Sequence, residues 1–244
     1  MRNVPTIREL KKFEKKDAQG PILRACDFVA VYAGKAFLYL PFTPNEVTFL
    51  WIIVKMIGLL LLVPGEYVLG VIGVLIFHLG SIIDGADGIV ARARQRFSLN
   101  GIYVDYVGHY FTNSLVLIAL AFGVYIQNGG LLVFVPAAIG AFCFLASKAS
   151  SLNPLWYSNP AQRTKAEELI YRKDMALKKS KNRLIAIIFD IIRLENPFNV
   201  FFWGIVFGYP VAVLWIYAVS NFLEMSRKIF IQFYRIYKDE KKAV

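Results

Sequence analysis

Three aspartates stand out because they interrupt stretches of sequence that are otherwise apolar. They are Asp84, Asp87 and Asp105, and a histidine, His109, follows four residues after the last of them. Carboxylate oxygens are the ligands that hard cations such as Mg²⁺ and Mn²⁺ prefer in proteins. A cation between the carboxylates would also remove the cost of holding like charges together away from water. The spacing therefore indicates a divalent metal site.

Helical geometry places these side chains on two faces that can meet. At 100° per residue, Asp84 and Asp87 lie about 60° apart on one helix. On the next helix, the residues of interest recur at steps of four and share a face: Gly101, Asp105, His109 and Asn113. Because a short turn joins the two helices, we expect the two faces to point at each other.

The composition places this pair of helices in a membrane. Of the 244 residues, 57% are hydrophobic, which is more apolar surface than a water-soluble domain of this length needs to bury. Several runs reach the length of about 20 residues that a spanning helix requires.

The first 20 residues are charged and lack the apolar core of a cleavable signal peptide, so we expect no processed leader.

The net charge of +11 is explained by topology rather than by nucleic-acid binding. Basic residues cluster beside apolar runs at 11–16, 92–96, 165–183 and 227–242. The connections 64–66, 127–130 and 207–210 contain no Lys or Arg. By the positive-inside rule, both termini and the two basic loops are cytoplasmic. No nucleic-acid recognition motif accompanies the basic residues.

The predicted fold is an all-α integral membrane protein with six transmembrane helices. A cytoplasmic N-terminal segment over 1–42 contains an amphipathic helix at 23–40 that lies on the membrane surface. A six-helix catalytic domain covers 43–226, with a cytoplasmic loop at about 150–183, and 227–244 form a basic cytoplasmic tail. We expect the spans at about 47–63, 67–93, 99–126, 131–147, from 184 with a bend at Pro197, and 209–222.

The two acidic helices carry a recognisable motif. The residues Asp84, Asp87, Gly88, Ala91 and Arg92 are followed, after eight residues, by Gly101 and then by Asp105. This resembles the signature D-x2-D-G-x2-A-R-x8-G-x3-D-x3-D of the CDP-alcohol phosphotransferases. Seven fixed residues at fixed spacing would arise by chance on the order of once in a billion start positions at average residue usage. The Thr43-Pro44-Asn45 start of the first span is also similar to that of the family.

The resemblance implies a ligand and substrate assignment. In the family, the signature aspartates hold a pair of divalent metals, Mg²⁺ or Mn²⁺, which implies that Asp84, Asp87 and Asp105 are ligands, with Asp105 also catalytic. It further implies that a cytidine diphosphate pocket is lined by Gly88, Ala91, Arg92 and Gly101, with Asn45 helping. Family members commonly pair as dimers; the sequence itself neither supports nor excludes a homodimer.

The last signature aspartate, which the family uses as the base for the acceptor alcohol, is replaced here by His109. A neutral imidazole can accept a proton near neutral pH, so His109 can serve as the catalytic base. The alternatives are a role as metal ligand or in donor binding, and a site that is inactive or differently tuned.

Several further residues are candidates for substrate contact. Lys55 lies inside the first span, and its alternatives are a contact with a substrate phosphate, a side chain that snorkels to the membrane surface and an ion pair with a carboxylate. Asn113 shares the face of His109, and Arg193 lies at the bend of the fifth span. We expect His78 to pack or bond between helices. Arg94 is expected to face anionic lipid, with donor phosphate as the alternative.

The sequence thus predicts a metal-dependent membrane transferase that moves a substituted phosphate from a CDP-linked, CMP-activated donor to an alcohol on a lipid or glycan carrier and releases CMP. The alternative within the family is transfer from CDP-diacylglycerol to a small polar alcohol. Two other classes stay open, a catalytically silent relative that binds CDP or lipid and an ion or solute transporter.

Overall fold

The protein is helical throughout the residues that the structure describes. The structure, a computed structural model, describes residues 4–13, 21–96, 98–150, 191–192, 194 and 199–243. In these ranges, the α-helices are α1 Ile7–Leu10, α2 Pro21–Tyr39, α3 Pro44–Leu62, α4 Tyr67–Arg94, α5 Leu99–Asn128, α6 Phe134–Ala149, α7 Val200–Val206 and α8 Pro210–Ala243. The predicted all-α class is confirmed for this part of the chain.

Helices long and apolar enough to cross a membrane make this an integral membrane protein. Within the described ranges, four helical segments meet that description: Pro44–Leu62, Tyr67–Arg94, Leu99–Asn128 and Leu131–Ala149. They coincide with the first four predicted spans. The fifth predicted span before Val200 lies mostly outside the described residues, as do Arg193, Pro197 and most of the loop at about 150–183. Six spans and the cytoplasmic orientation stay predictions.

Helix α3 begins at the predicted position because its first turn is capped. The Thr43 amide N–H donates to Glu46 Oε2 at 2.7 Å, and the Glu46 amide donates to Thr43 Oγ1 at 3.3 Å. Pro44 occupies the first helical turn, where its missing N–H costs no hydrogen bond. This capping box fixes Asn45 and Thr48 at the start of α3.

A tight turn reverses the chain between α4 and α5. Gln95 ends α4 in the left-handed region at φ 50°, and Arg96 N–H returns to the Ala91 carbonyl at 3.0 Å. Ser98 then caps α5, its Oγ accepting the Gly101 amide at 2.9 Å. The helices are therefore antiparallel, and the ends that carry the signature meet.

Glycines let α3 and α4 approach almost to backbone contact. A Cβ added at Gly58 would lie 2.7 Å from the Gly73 carbonyl oxygen, and one added at Gly73 would lie 2.8 Å from the Gly58 carbonyl oxygen. At Gly80, an added Cβ would lie 2.5 Å from Lys55 Cγ. Small residues at such crossings are the usual basis of close helix packing in membranes. This contact brings the first half of α3 against the acidic end of α4.

Helix α2 packs along the last turns of α4. An added Cβ at Gly85 would lie 2.8 Å from Ala30 Cβ, and one at Gly34 would lie 2.9 Å from Ile89 Cγ2. Ala30 and Ile89 belong to a buried cluster with Leu10, Val31, Leu38 and Val90. Helix α2 therefore supports the back of the signature helix. Its predicted position on the membrane surface stays a prediction.

Arg94 forms a clasp on the end of α2, a contact that its place in a basic turn did not predict. Its expected position beside anionic lipid stays a prediction. Its Nη2 donates to the carbonyl of Phe37 in the last turn of α2 at 3.4 Å and to that of Leu40 just after the helix at 2.9 Å. Its Nη1 donates to the Phe42 carbonyl. The last carbonyls of a helix have no partner within the helix, so a guanidinium there satisfies them and opposes the negative end of the helix dipole. The tertiary approach of α2 to α4 makes this contact.

We expect Arg94→Gln to loosen this connection. Hydrogen bonds from a charged group contribute about 1.5–3 kcal/mol, so hydrogen–deuterium exchange over residues 37–42 should become roughly ten-fold faster or more. Arg96→Gln is the matched control, because Arg96 is exposed at the same turn. Equal exchange in both variants would show that the clasp does not hold the end of α2.

Candidate metal centre

Two carboxylates and an imidazole meet where α4 and α5 come together. His109 Nε2 lies 3.3 Å from Asp84 Oδ2 and 3.6 Å from Asp105 Oδ1. Asp84 is on α4, whereas Asp105 and His109 are one turn apart on α5, so side chains that reach across from the two helices create the group. We call these three residues the triad.

The geometry of the triad suits a divalent cation. Its three ligand atoms all lie within 4.8 Å of one another. Ligand atoms about 2.1 Å from a single Mg²⁺ or Mn²⁺ ion are separated by roughly 3–4 Å, which matches the distances of 3.3 and 3.6 Å from His109 Nε2 to the two carboxylates. The side chains are 19%, 24% and 37% exposed for His109, Asp84 and Asp105, so the group opens to a ligand. The residues present therefore fit a metal ion.

Asp87 lies near the triad but is bonded to α3. Its Oδ2 accepts a hydrogen bond from Thr48 Oγ1 at 2.8 Å and another from Trp51 Nε1 at 3.2 Å. The carboxylate is still within electrostatic range of both Asp84 and Asp105. The three signature aspartates are thus brought together, while the compact metal-type group contains His109 in place of Asp87.

The glycines of the signature leave room for neighbouring polar groups. A Cβ added at Gly88 would lie 3.1 Å from both terminal nitrogens of Arg92, so this guanidinium rests on the backbone of α4. A Cβ added at Gly101 would lie 2.4 Å from Asn45 Oδ1 and 2.9 Å from Ser98 Oγ. Ser98 Oγ also donates to Asn45 Oδ1 at 3.1 Å. Ala91 lies partly exposed between Gly88 and Arg92 on the same helix.

The remaining candidates lie deeper in the bundle. Lys55 is fully buried, and its Nζ lies 4.7 Å from the Trp51 ring centroid and 5.2 Å from that of Phe77. It does not snorkel to water in this arrangement. Asn113 is also buried, one turn beyond His109. Lys55 and Asn113, two of the predicted substrate contacts, are thus buried farther from the open end of the bundle than the triad is. The third, Arg193, is outside the described residues.

His78 is a packing residue, as its position in the sequence suggested. It is buried, with its ring 5.7 Å from Phe77 and 5.9 Å from Phe202 of α7. It therefore links α4 to α7 away from the triad.

A comparison with protein-family models identifies the relationship. The model described as CDP-alcohol phosphatidyltransferase matches residues 42–216. The chain belongs to this family. No match was found among curated proteins.

Membership in the CDP-alcohol phosphatidyltransferase family agrees with the geometry. The matched residues begin at the capped start of α3 and include the whole of α4, α5 and α6. The protein is accordingly a membrane phosphotransferase of the CDP-alcohol class. The triad and Asp87 lie where the signature helices of this transferase meet.

Three residues of the site were not predicted from the sequence, namely Ser98, Trp51 and Thr48, the last of which donates to Asp87. Ser98 joins the N-terminal end of α5 to Asn45, and Trp51 contacts both Asp87 and His109. A serine just before a predicted helix is a capping signal that could have identified Ser98. Trp51 lies three residues after Thr48, on the same helical face, but an apolar helix gives no sign that an indole N–H has a carboxylate partner.

A separate cavity occupies the opposite ends of the helices. It has a volume of about 580 Å³ and is lined in part by Gly65, Tyr67, Gln127, Ile205 and Tyr209. None of the predicted site residues lines it. This cavity is therefore distinct from the triad.

Proposed function

We propose that the protein transfers a substituted phosphate from a CDP-linked donor to a hydroxyl on a lipid or glycan carrier, with release of CMP. The observation that carries the proposal is the triad, in which residues from two signature helices converge with ligand atoms within 4.8 Å. The family match supports the transferase class. The active site and both termini face the cytoplasm in this proposal, as the distribution of basic residues favours.

Asp84, Asp87 and Asp105 would hold two divalent ions, Mg²⁺ or Mn²⁺, at the place where the diphosphate of the donor binds. When bound, such ions supply charge neutralisation on the phosphate oxygens and on the departing CMP. Asp84 and Asp105 face the opening, whereas Asp87 is oriented by Thr48 and Trp51. Carboxylates held in this way avoid reorganisation when the ligand arrives.

The donor nucleotide lies across the ends of α3, α4 and α5. Gly88 and Gly101 allow it to approach the helix backbones, with Ala91 beside them. Arg92 offers a guanidinium that can bond to phosphate oxygens bidentately. Asn45, already bonded to Ser98, completes the pocket from α3.

His109 accepts the proton of the acceptor alcohol as the alcohol attacks phosphorus, beside the catalytic Asp105. The contacts of Nε2 with Asp84 and Asp105 hold the ring at the opening of the site. The same contacts favour a second role, because Nε2 is one of the three atoms arranged as metal ligands. Lys55, Asn113 and Arg193 are proposed as contacts of the acceptor, and the protein is proposed to pair as a homodimer.

Purified protein should release CMP from CDP-linked donors only when Mn²⁺ or Mg²⁺ and an acceptor are present. The donor panel includes CDP-linked polar alcohols and CDP-diacylglycerol, with release of labelled CMP as the measurement. Asp84→Asn and Asp105→Asn should lower turnover by two orders of magnitude or more, because each removes a charged group aimed at the site. Glu66→Gln, at the opposite end of α4, is the control.

If CMP were released only with CDP-diacylglycerol as donor and a small polar alcohol as acceptor, these alternative substrates would replace the proposed ones. CDP binding without CMP release under any condition would indicate a silent relative. Transfer of the substituted phosphate without any divalent ion would contradict the proposed metal chemistry.

His109→Ala should lower kcat by about 10²–10⁴-fold if the imidazole is the base, with unchanged affinity for Mn²⁺. If the imidazole is a ligand, the variant loses Mn²⁺ affinity as well. Pulsed electron paramagnetic resonance of bound Mn²⁺ then shows an imidazole nitrogen coupling in the wild type and none in His109→Ala. The chain has only two histidines, so untagged protein with His78→Gln is a complete control. Wild-type turnover in His109→Ala would exclude both roles.

A further inference from the structure

Trp51 contacts the functional residues of both neighbouring helices. It lies on α3 and is fully buried. Its Nε1 donates to Asp87 Oδ2 on α4 at 3.2 Å, and its ring centroid lies 4.8 Å from that of His109 on α5, with the planes inclined at 34°. One side chain therefore contacts the two residues whose orientation the proposed chemistry needs.

The hydrogen bond from Trp51 controls how Asp87 presents its oxygens. Thr48 Oγ1 and Trp51 Nε1 both donate to the same oxygen, Oδ2. Two donors on one oxygen satisfy it and fix the plane of the carboxylate. Oδ1 is then the oxygen through which Asp87 would bind a cation. A carboxylate without these donors would rotate freely about its terminal bond.

The ring of Trp51 limits the orientation of His109. At 4.8 Å and 34°, the indole covers one face of the imidazole, while Nε2 points to Asp84 and Asp105. Tilted and offset ring pairs are favourable beyond the area that they bury. The contact therefore favours the ring orientation in which Nε2 faces the carboxylates.

The surroundings hold Trp51 in place. A Cβ added at Gly108 would lie 2.7 Å from Trp51 Cη2, so α5 has room for the indole only because this residue is glycine. The ammonium of Lys55 lies 4.7 Å from the indole centroid, one helical turn deeper. A cation over an indole is attracted by the ring face. The indole thus lies between the imidazole and the ammonium.

We propose that Trp51 is a positioning residue, which orients the Asp87 carboxylate through its N–H and the His109 imidazole through its ring. This inference rests on the proposed function, since it gives those orientations a purpose in holding the divalent ions and the acceptor. The N–H and the ring face of Trp51 therefore have separate effects, the first on Asp87 and the second on His109.

The test is Mn²⁺ binding to purified protein, followed by the electron paramagnetic resonance signal of free Mn²⁺, together with kcat at saturating Mn²⁺. Trp51→Phe keeps a ring and removes the N–H, whereas Trp51→Leu removes both. Replacement of Trp51 by benzothienylalanine keeps the shape of the indole and exchanges the N–H for sulfur, so this variant tests the hydrogen bond without a change in packing. Trp203→Phe, on α7 and partly exposed, is the matched control.

We expect Trp51→Phe and the benzothienylalanine variant to bind Mn²⁺ roughly ten-fold more weakly, the loss typical of a hydrogen bond to a charged group. Both should recover most of their kcat at saturating Mn²⁺. Trp51→Leu should bind Mn²⁺ as weakly as Trp51→Phe does, but should recover less of its kcat at saturating Mn²⁺. This extra loss of kcat should disappear when His109 is also replaced by Asp, because no imidazole is then left for the ring to orient. Trp203→Phe should match the wild type.

Wild-type Mn²⁺ affinity in the benzothienylalanine variant would overturn the role of the N–H. Equal kcat at saturating Mn²⁺ in Trp51→Phe and Trp51→Leu would overturn the role of the ring. These outcomes are distinct from a failure of the proposed function, because that failure would appear in the wild-type protein itself, as absent Mn²⁺ binding or absent CMP release.

Discussion

Repulsion between carboxylates inside a membrane protein is the interaction on which this structure depends. Asp84, Asp87 and Asp105 are near one another at the meeting of two helices, where the cost of like charges is high. The protein meets this cost in two ways. Asp87 receives hydrogen bonds from Thr48 and Trp51, while Asp84 and Asp105 face an imidazole nitrogen at 3.3 and 3.6 Å. The negative charge of Asp84 and Asp105 at the opening still favours a cation there. In the proposed function, divalent ions and Arg92 would supply the positive charge.

The arrangement is possible because the helix backbones come close. Gly58 and Gly73 remove the side chains that would separate α3 from α4, and Gly108 makes room for the Trp51 indole beside α5. A larger residue at any of these positions would need a shift of the helices or a strained side chain, which typically costs about 1–3 kcal/mol. The small residues of the bundle thus have the same importance for the site as its charged residues, because they set the distances between the donors and the carboxylates.

The parts of this account that follow from local pattern could be read from the sequence. The helical faces of Asp84 and Asp87 and of Asp105 and His109, the capped start of α3 and the short turn before α5 depend on residues close in the chain. The missing parts depend on tertiary contacts. Neither the hydrogen bond of Trp51 to Asp87, 36 residues away, nor the clasp of Arg94 on the carbonyls of α2 follows from periodicity or charge. Lys55 was ambiguous for the same reason, since only the packed bundle shows its ammonium against two aromatic rings.

Anomalous diffraction from crystals of the protein grown with Mn²⁺ and a CDP-linked donor would test the central claim most directly. The account predicts a Mn²⁺ peak about 2.1–2.3 Å from carboxylate oxygens of both Asp84 and Asp105, with the donor diphosphate bound to the same ion. A Mn²⁺ ion bound elsewhere, or a nucleotide bound away from these two aspartates, would contradict it.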